Sequence, residues 1–88
     1  MVYYLYILYS ATADIYYIGH TNDLGRRMSE HNSCDAGWTK YHQPWALVFR
    51  EEFVRRSDAM KREKYLKSFK SKERIRQYID GWRSFKLL

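Results

Sequence analysis

Apolar positions along the chain fall into short, differently spaced groups. Val2 to Tyr9 is rich in β-branched and aromatic residues, Ser10 to Asp14 interrupts it with small turn-tolerant ones, and Ile15 to Gly19 resumes the first chemistry. This pattern predicts a β-hairpin. With the turn centred near Ala11 and Thr12, Tyr6 falls opposite Tyr17, and opposite residues share a face. A one-residue slip would put them on opposite faces. Thr21 or Asn22 is placed to cap a helix reaching about Asn32, with Asp23 favourable at the positive end of its dipole. In that helix Leu24, Arg27, Met28 and His31 are spaced to share one face, and the two apolar members direct it toward the core. Arg27 and His31 therefore point toward the interior or its rim, where an unpaired charge is costly.

Ser33 to Pro44 reads as a loop of the length that often carries function. A third strand is expected over Trp45 to Phe53. Two helices follow, from about Asp58 to Phe69 behind Ser57, and from about Lys72 to Trp82 behind Ser71, with Glu73 in the first turn of the second. Ala59, Leu66 and Phe69 form an apolar stripe that Glu63 interrupts. The element order is β-β-α-β-α-α, an α+β arrangement expected to fold as one domain over residues 1–88.

Composition narrows the function classes. A chain of 88 residues with 45% hydrophobic and 18% aromatic content is too apolar for disorder and too short for a two-lobed enzyme. The single cysteine, Cys34, excludes an internal disulfide and a cysteine-rich zinc site. No apolar run approaches the roughly 20 residues of a membrane span, so a soluble, cytoplasmic protein with no membrane partner is expected. Arg50 to Arg76 holds eleven basic and five acidic residues, and that excess equals the whole net charge of +6. Such a one-sided cationic field attracts polyanions, nucleic acid first and an anionic membrane surface second. A solvated helix face is the plainer reading of the same lysines.

The interrupted apolar faces carry groups able to do acid, base or metal work: Tyr6, Tyr17, Arg27, His31 and Glu63. Singly, each has an ordinary structural explanation as packing, hydrogen-bonded filler or a salt-bridge partner. Around one cleft they suit phosphodiester cleavage. Arginine forks onto phosphate oxygens and keeps its charge, and magnesium is commonly held by one or two carboxylates while phosphate and water fill its other positions. A tyrosine or histidine is then available to take a proton from attacking water.

The run Tyr4-Leu5-Tyr6-Ile7-Leu8, the triplet Tyr17-Ile18-Gly19, then Asn22-Asp23-Leu24, Arg27, His31 and the Glu63 of Lys61-Arg62-Glu63-Lys64 resemble the GIY-YIG nuclease family over about residues 2–76. The likeness is to its small stand-alone bacterial members, related to the catalytic module of the excision-repair nuclease C subunit. It implies a three-stranded antiparallel sheet flanked by helices and a metal-dependent endonuclease acting on DNA, with RNA also open. By resemblance, Tyr6 and Tyr17 position or activate water and contact the scissile phosphate. Arg27 stabilises transition-state charge, His31 transfers a proton, and Glu63 holds one Mg2+ or Mn2+. Which of Tyr6, Tyr17 and His31 is the base stays open.

Gly19, His20, Lys40, Lys61, Arg62, Lys67 and Lys70 are the expected nucleic-acid contacts, positioning a strand without reading its sequence. The chain departs from the family pattern in three places: Tyr4 replaces the first glycine, His20 stands where some relatives carry lysine, and Gln77 is the nearest late amide. With no recognition domain evident, specificity is expected from nucleic-acid shape or a protein partner. The competing readings are a nucleic-acid-binding module without turnover and an interaction module using Trp82, Phe85, Leu87 and Leu88.

Overall fold

A computed structural model describes residues 1–33 and 37–87, the last four as backbone only. Cys34 and the side chains of Phe85, Leu87 and Leu88 therefore lie outside the described residues. The elements in chain order are β1 (Tyr3–Ser10), β2 (Ile15–Thr21), α1 (Leu24–His31), a 3-10 turn (Trp38–His42), β3 (Trp45–Phe53), α2 (Arg56–Lys67) and α3 (Lys72–Leu87). The three strands form one antiparallel sheet in the order β2-β1-β3, so the hairpin partner β2 is an edge strand. No helix among the described residues is long and apolar enough to cross a membrane.

Alternation along β1 assigns its residues to two faces. Leu5 and Ile7 meet Ile18, Phe49, Leu66, Phe69, Ile75 and Ile79, an apolar core closed by α2 and α3. Tyr6 and Leu8 meet Trp45 and are covered by Tyr17, Leu24 and Met28, the last two from α1. Adjacent residues of the central strand thus feed two unlike interiors.

The hairpin register differs from the expected one. Tyr6 pairs with Gly19 and Leu8 with Tyr17. The turn takes in Ala11 to Asp14, with Ser10 Oγ accepting from Ala13 N at 3.2 Å and Asp14 in the left-handed region at φ 54°. Pairing is displaced by an even number of residues, which preserves the face, so the two tyrosines remain on one side as diagonal neighbours.

Helix starts are also shifted. Asp23 itself caps α1, its carboxylate accepting from Arg26 N at 3.1 Å, while Thr21 Oγ1 accepts from Asp23 N. The N-cap of α2 is Arg55, without a side-chain cap, and Ser57 lies inside the helix. Ser71 does serve α3, accepting from Arg74 N at 3.4 Å. Within the expected loop, Trp38–His42 coils into the 3-10 turn, anchored by Trp45 Nε1 donating to Thr39 O at 2.8 Å.

Candidate active site

Gly19 is where strand geometry becomes chemistry. A side chain there would bring its Cβ to 2.6 Å from the Tyr6 hydroxyl and 2.8 Å from its Cζ. Glycine is thus the residue that lets a buried phenol on the central strand lie across the edge strand toward α1. The Tyr6 hydroxyl accepts from Arg27 Nε at 3.1 Å and lies 3.0 Å from His31 Nε2. Among the described residues the phenol has no other acceptor, so its hydrogen points to His31 Nε2. The imidazole proton then sits on Nδ1, donated to Thr39 Oγ1 at 3.2 Å.

Burial raises Tyr6 above its ordinary value of 10.0, and the hydrogen bond and charge of Arg27 offset this only in part. His31 is lowered from 6.5, first by burial and then by the Arg27 charge, which keeps it neutral and able to accept a proton. The Tyr6 bond raises Arg27 further, fixing its charge. Tyr17 packs beside them, its ring centroid 4.7 Å from that of His31 and 6.3 Å from that of Tyr6. Tyr17, Arg27, Glu30, His31, Ser33, Trp38 and Thr39 line a hollow of about 540 Å³. Tyr6 is buried behind it, His31 is largely buried in its wall, and Arg27 and Tyr17 are partly exposed.

Glu63 stands apart from these four. It lies on α2, across β2, where its Oε1 is 2.6 Å from His20 Nδ1 and its Oε2 accepts from Lys67 Nζ at 2.7 Å. Burial alone would raise this carboxyl, but the Lys67 and His20 bonds hold it below its ordinary value. Its charge is the smallest of the influences that raise Tyr6. His20 is the link, since it lines the Glu63 hollow and also borders a smaller one shared with Arg27.

The remaining expected contacts differ in what they have free. Lys61 lines the Glu63 hollow, and Lys67 is committed to Glu63. Lys70 is exposed on the far side of Tyr17. Lys40 sits 5.1 Å from the Tyr41 ring. Arg62 is turned away, donating to Tyr78 at 2.7 Å and pairing with Glu51 at 3.6 Å. Thr39 is the site residue that sequence reasoning missed, because a threonine in a polar loop gives no signal of the imidazole beneath it.

A carboxylate oxygen set suits a hard divalent ion, and magnesium needs only one or two such ligands. Glu63 is ionised with its side chain 19% exposed, so its chemistry suits such an ion as a single protein ligand, which would take the place of Lys67 or His20 on the carboxylate. No group of three or more His, Cys, Asp or Glu residues able to hold a metal occurs among the described residues.

An edge-strand glycine over a buried phenol, backed by arginine and histidine from the following helix, is set in an α+β domain of nuclease type by family. The model of the GIY-YIG catalytic domain matches residues 2–78, and the chain belongs to that family. Its relatives include the UPF0213 protein of Staphylococcus saprophyticus, 32% identical over 89% of this chain and 95% of that one. The UPF0213 protein YazA of Bacillus subtilis is 38% identical over 81% of this chain and 72% of its own. The solution NMR structure of a Bacillus halodurans UPF0213 protein is similar at a TM-score of 0.57 and 31% identity, covering 91% of this chain and 84% of that one.

Proposed function

We propose that the protein is a divalent-metal-dependent endonuclease that hydrolyses phosphodiester bonds in DNA. The observation that carries this reading is the Tyr6 hydroxyl held between Arg27 Nε at 3.1 Å and neutral His31 at 3.0 Å. A phosphate entering the hollow meets Arg27 and Tyr17 first. As the guanidinium turns its fork onto the phosphate, it releases the phenol oxygen. Water attacks phosphorus, its oxygen forming the new P–O bond while the ester P–O bond breaks and the leaving oxygen keeps the electron pair. The water proton passes to the Tyr6 oxygen as Tyr6 gives its own to His31 Nε2, whose neutral ring has a lone pair to take it. Arg27 balances the charge that builds on phosphorus. Glu63 would hold a divalent ion, which would supply Lewis-acid stabilisation of phosphate charge.

The test is a cleavage screen across duplex, flap, junction and single-stranded DNA and RNA with Mg2+ or Mn2+. Cleavage of at least one substrate by the parent, and its loss in Arg27→Ala and in Glu63→Gln, are expected. Equal cutting by both variants would refute the assignment. One observation favours the second reading, a nucleic-acid-binding module without turnover: both Glu63 oxygens already have partners. Salt-sensitive binding with no cleavage under any metal would support that reading instead.

A further inference from the structure

On the other side of Tyr17 from the catalytic hollow lies a second groove of about 420 Å³, between the free edge of β2 and the α2–α3 junction. Its floor is apolar, formed by Ile15, Ile18, Leu66 and Ile75, and Trp38 stands at its mouth with 57% of its surface exposed. Its rim is cationic. Lys67, Lys70 and Lys72 line it against one carboxylate, Asp14. Lys67 is held by Glu63 and Lys72 by Asp14, whereas Lys70 forms no ion pair among the described residues. Tyr17 and Trp38 line both this groove and the catalytic hollow, so the two adjoin across these rings.

We propose that this groove binds the unpaired base next to the scissile phosphate, making single-stranded nucleic acid the preferred substrate. This rests on the nuclease reading only for the position of the phosphate. An apolar slot bounded by aromatic side chains accepts a base through its faces, and those faces are covered in a stacked, paired duplex. The free ammonium of Lys70 complements the phosphate that must accompany a base lodged there. Neither feature reads base identity, so the site selects strand state and not sequence.

Binding measured without metal separates this proposal from turnover. Fluorescence anisotropy would compare a labelled thymidine-tract oligonucleotide, the equivalent uridine tract and a hairpin duplex of equal length. The single strand is expected to bind about tenfold more tightly than the duplex, and Trp38→Ala to lose about that factor on the single strand alone. Trp38→Phe should restore most of it, and Lys70→Ala should lower the salt slope by about one phosphate contact. If Trp38→Ala does not fold, Trp38→Phe against Lys70→Ala still decides. Equal or tighter duplex binding, or a Trp38→Ala protein that binds the single strand normally, would overturn the proposal. Preference for the uridine tract would assign the site to RNA. A single-strand preference that survives while Arg27→Ala and Glu63→Gln cut as well as the parent would remove the nuclease assignment and leave the groove standing.

Discussion

The two faces of the sheet are built from neighbouring residues of one strand and behave differently. Toward α2 and α3, Leu5 and Ile7 enter an apolar interior of Ile18, Phe49, Leu66, Phe69, Ile75 and Ile79. Toward α1, Tyr6 enters a buried set containing His31 and Thr39, each hydrogen-bonded to the next. Burial of apolar surface is non-directional and tolerates many solutions, whereas a buried polar chain is stable only when every member is satisfied. One face therefore holds the fold together and the other holds a buried chain of hydrogen-bonded groups in place. Side chains on the first should govern stability, and those on the second should govern chemistry at small structural cost.

The largest expected effect is on the α1 face. Arg27→Lys keeps a positive charge but loses the planar fork, and the nicking rate should fall by about a thousandfold, the scale of a lost transition-state donor, with the thermal midpoint nearly unchanged. A rate within tenfold of the parent would show that charge alone suffices. Ile79→Ala on the opposite face, away from the groove, should cost about 2–5 kcal/mol in denaturant unfolding while leaving the rate of the folded fraction intact. Loss of rate without loss of stability would reverse the division between the faces. Gly19→Ala tests the boundary, because its Cβ would lie 2.6 Å from the hydroxyl of a fully buried ring. About 1–3 kcal/mol of strain is expected, together with a drop in rate, since Tyr6 must leave Arg27 or His31.

The smallest effect concerns pH. His31 is held below its ordinary 6.5 by burial and by Arg27. As pH falls, the unfolded chain takes up this proton first, so the stability contributed by the neutral imidazole is complete above the unfolded value and disappears on acidification through the lower folded one. An NMR titration should place the His31 midpoint below 6.5, and Arg27→Gln should move it upward. A midpoint above 6.5 would mean that the imidazole is held as a cation, contradicting its role as acceptor.

Strands and helices were legible because their signals are local. Tyr, Ile and Val runs mark the hairpin, and the spacing of Leu24, Arg27, Met28 and His31 marks the helix that carries two site residues. The even displacement of the hairpin was not legible, because it depends on the left-handed Asp14 and the Ser10 hydroxyl within the turn. Nor was Arg55 as a helix cap, which has no side-chain bond to announce it. At the site, residue types were readable from the polar breaks in apolar stripes. Their distribution was not, since the separation of Glu63 from Arg27 follows from β2 being an edge strand with His20 and Gly19 on opposite faces. Arg62 looked like its lysine neighbours until Glu51 and Tyr78 were seen to engage it.

Tyr6→Phe isolates one oxygen atom on the chemical face, and its nicking rate and thermal unfolding measured on the same preparation give the most direct test. Loss of that oxygen leaves His31 Nε2 without its donor at a cost of about 1–3 kcal/mol, so a folded protein with cleavage reduced at least a hundredfold is the expected result. A folded Tyr6→Phe protein that nicks DNA at the parental rate would show that the buried phenol between Arg27 and His31 is packing, and that the chemistry lies elsewhere.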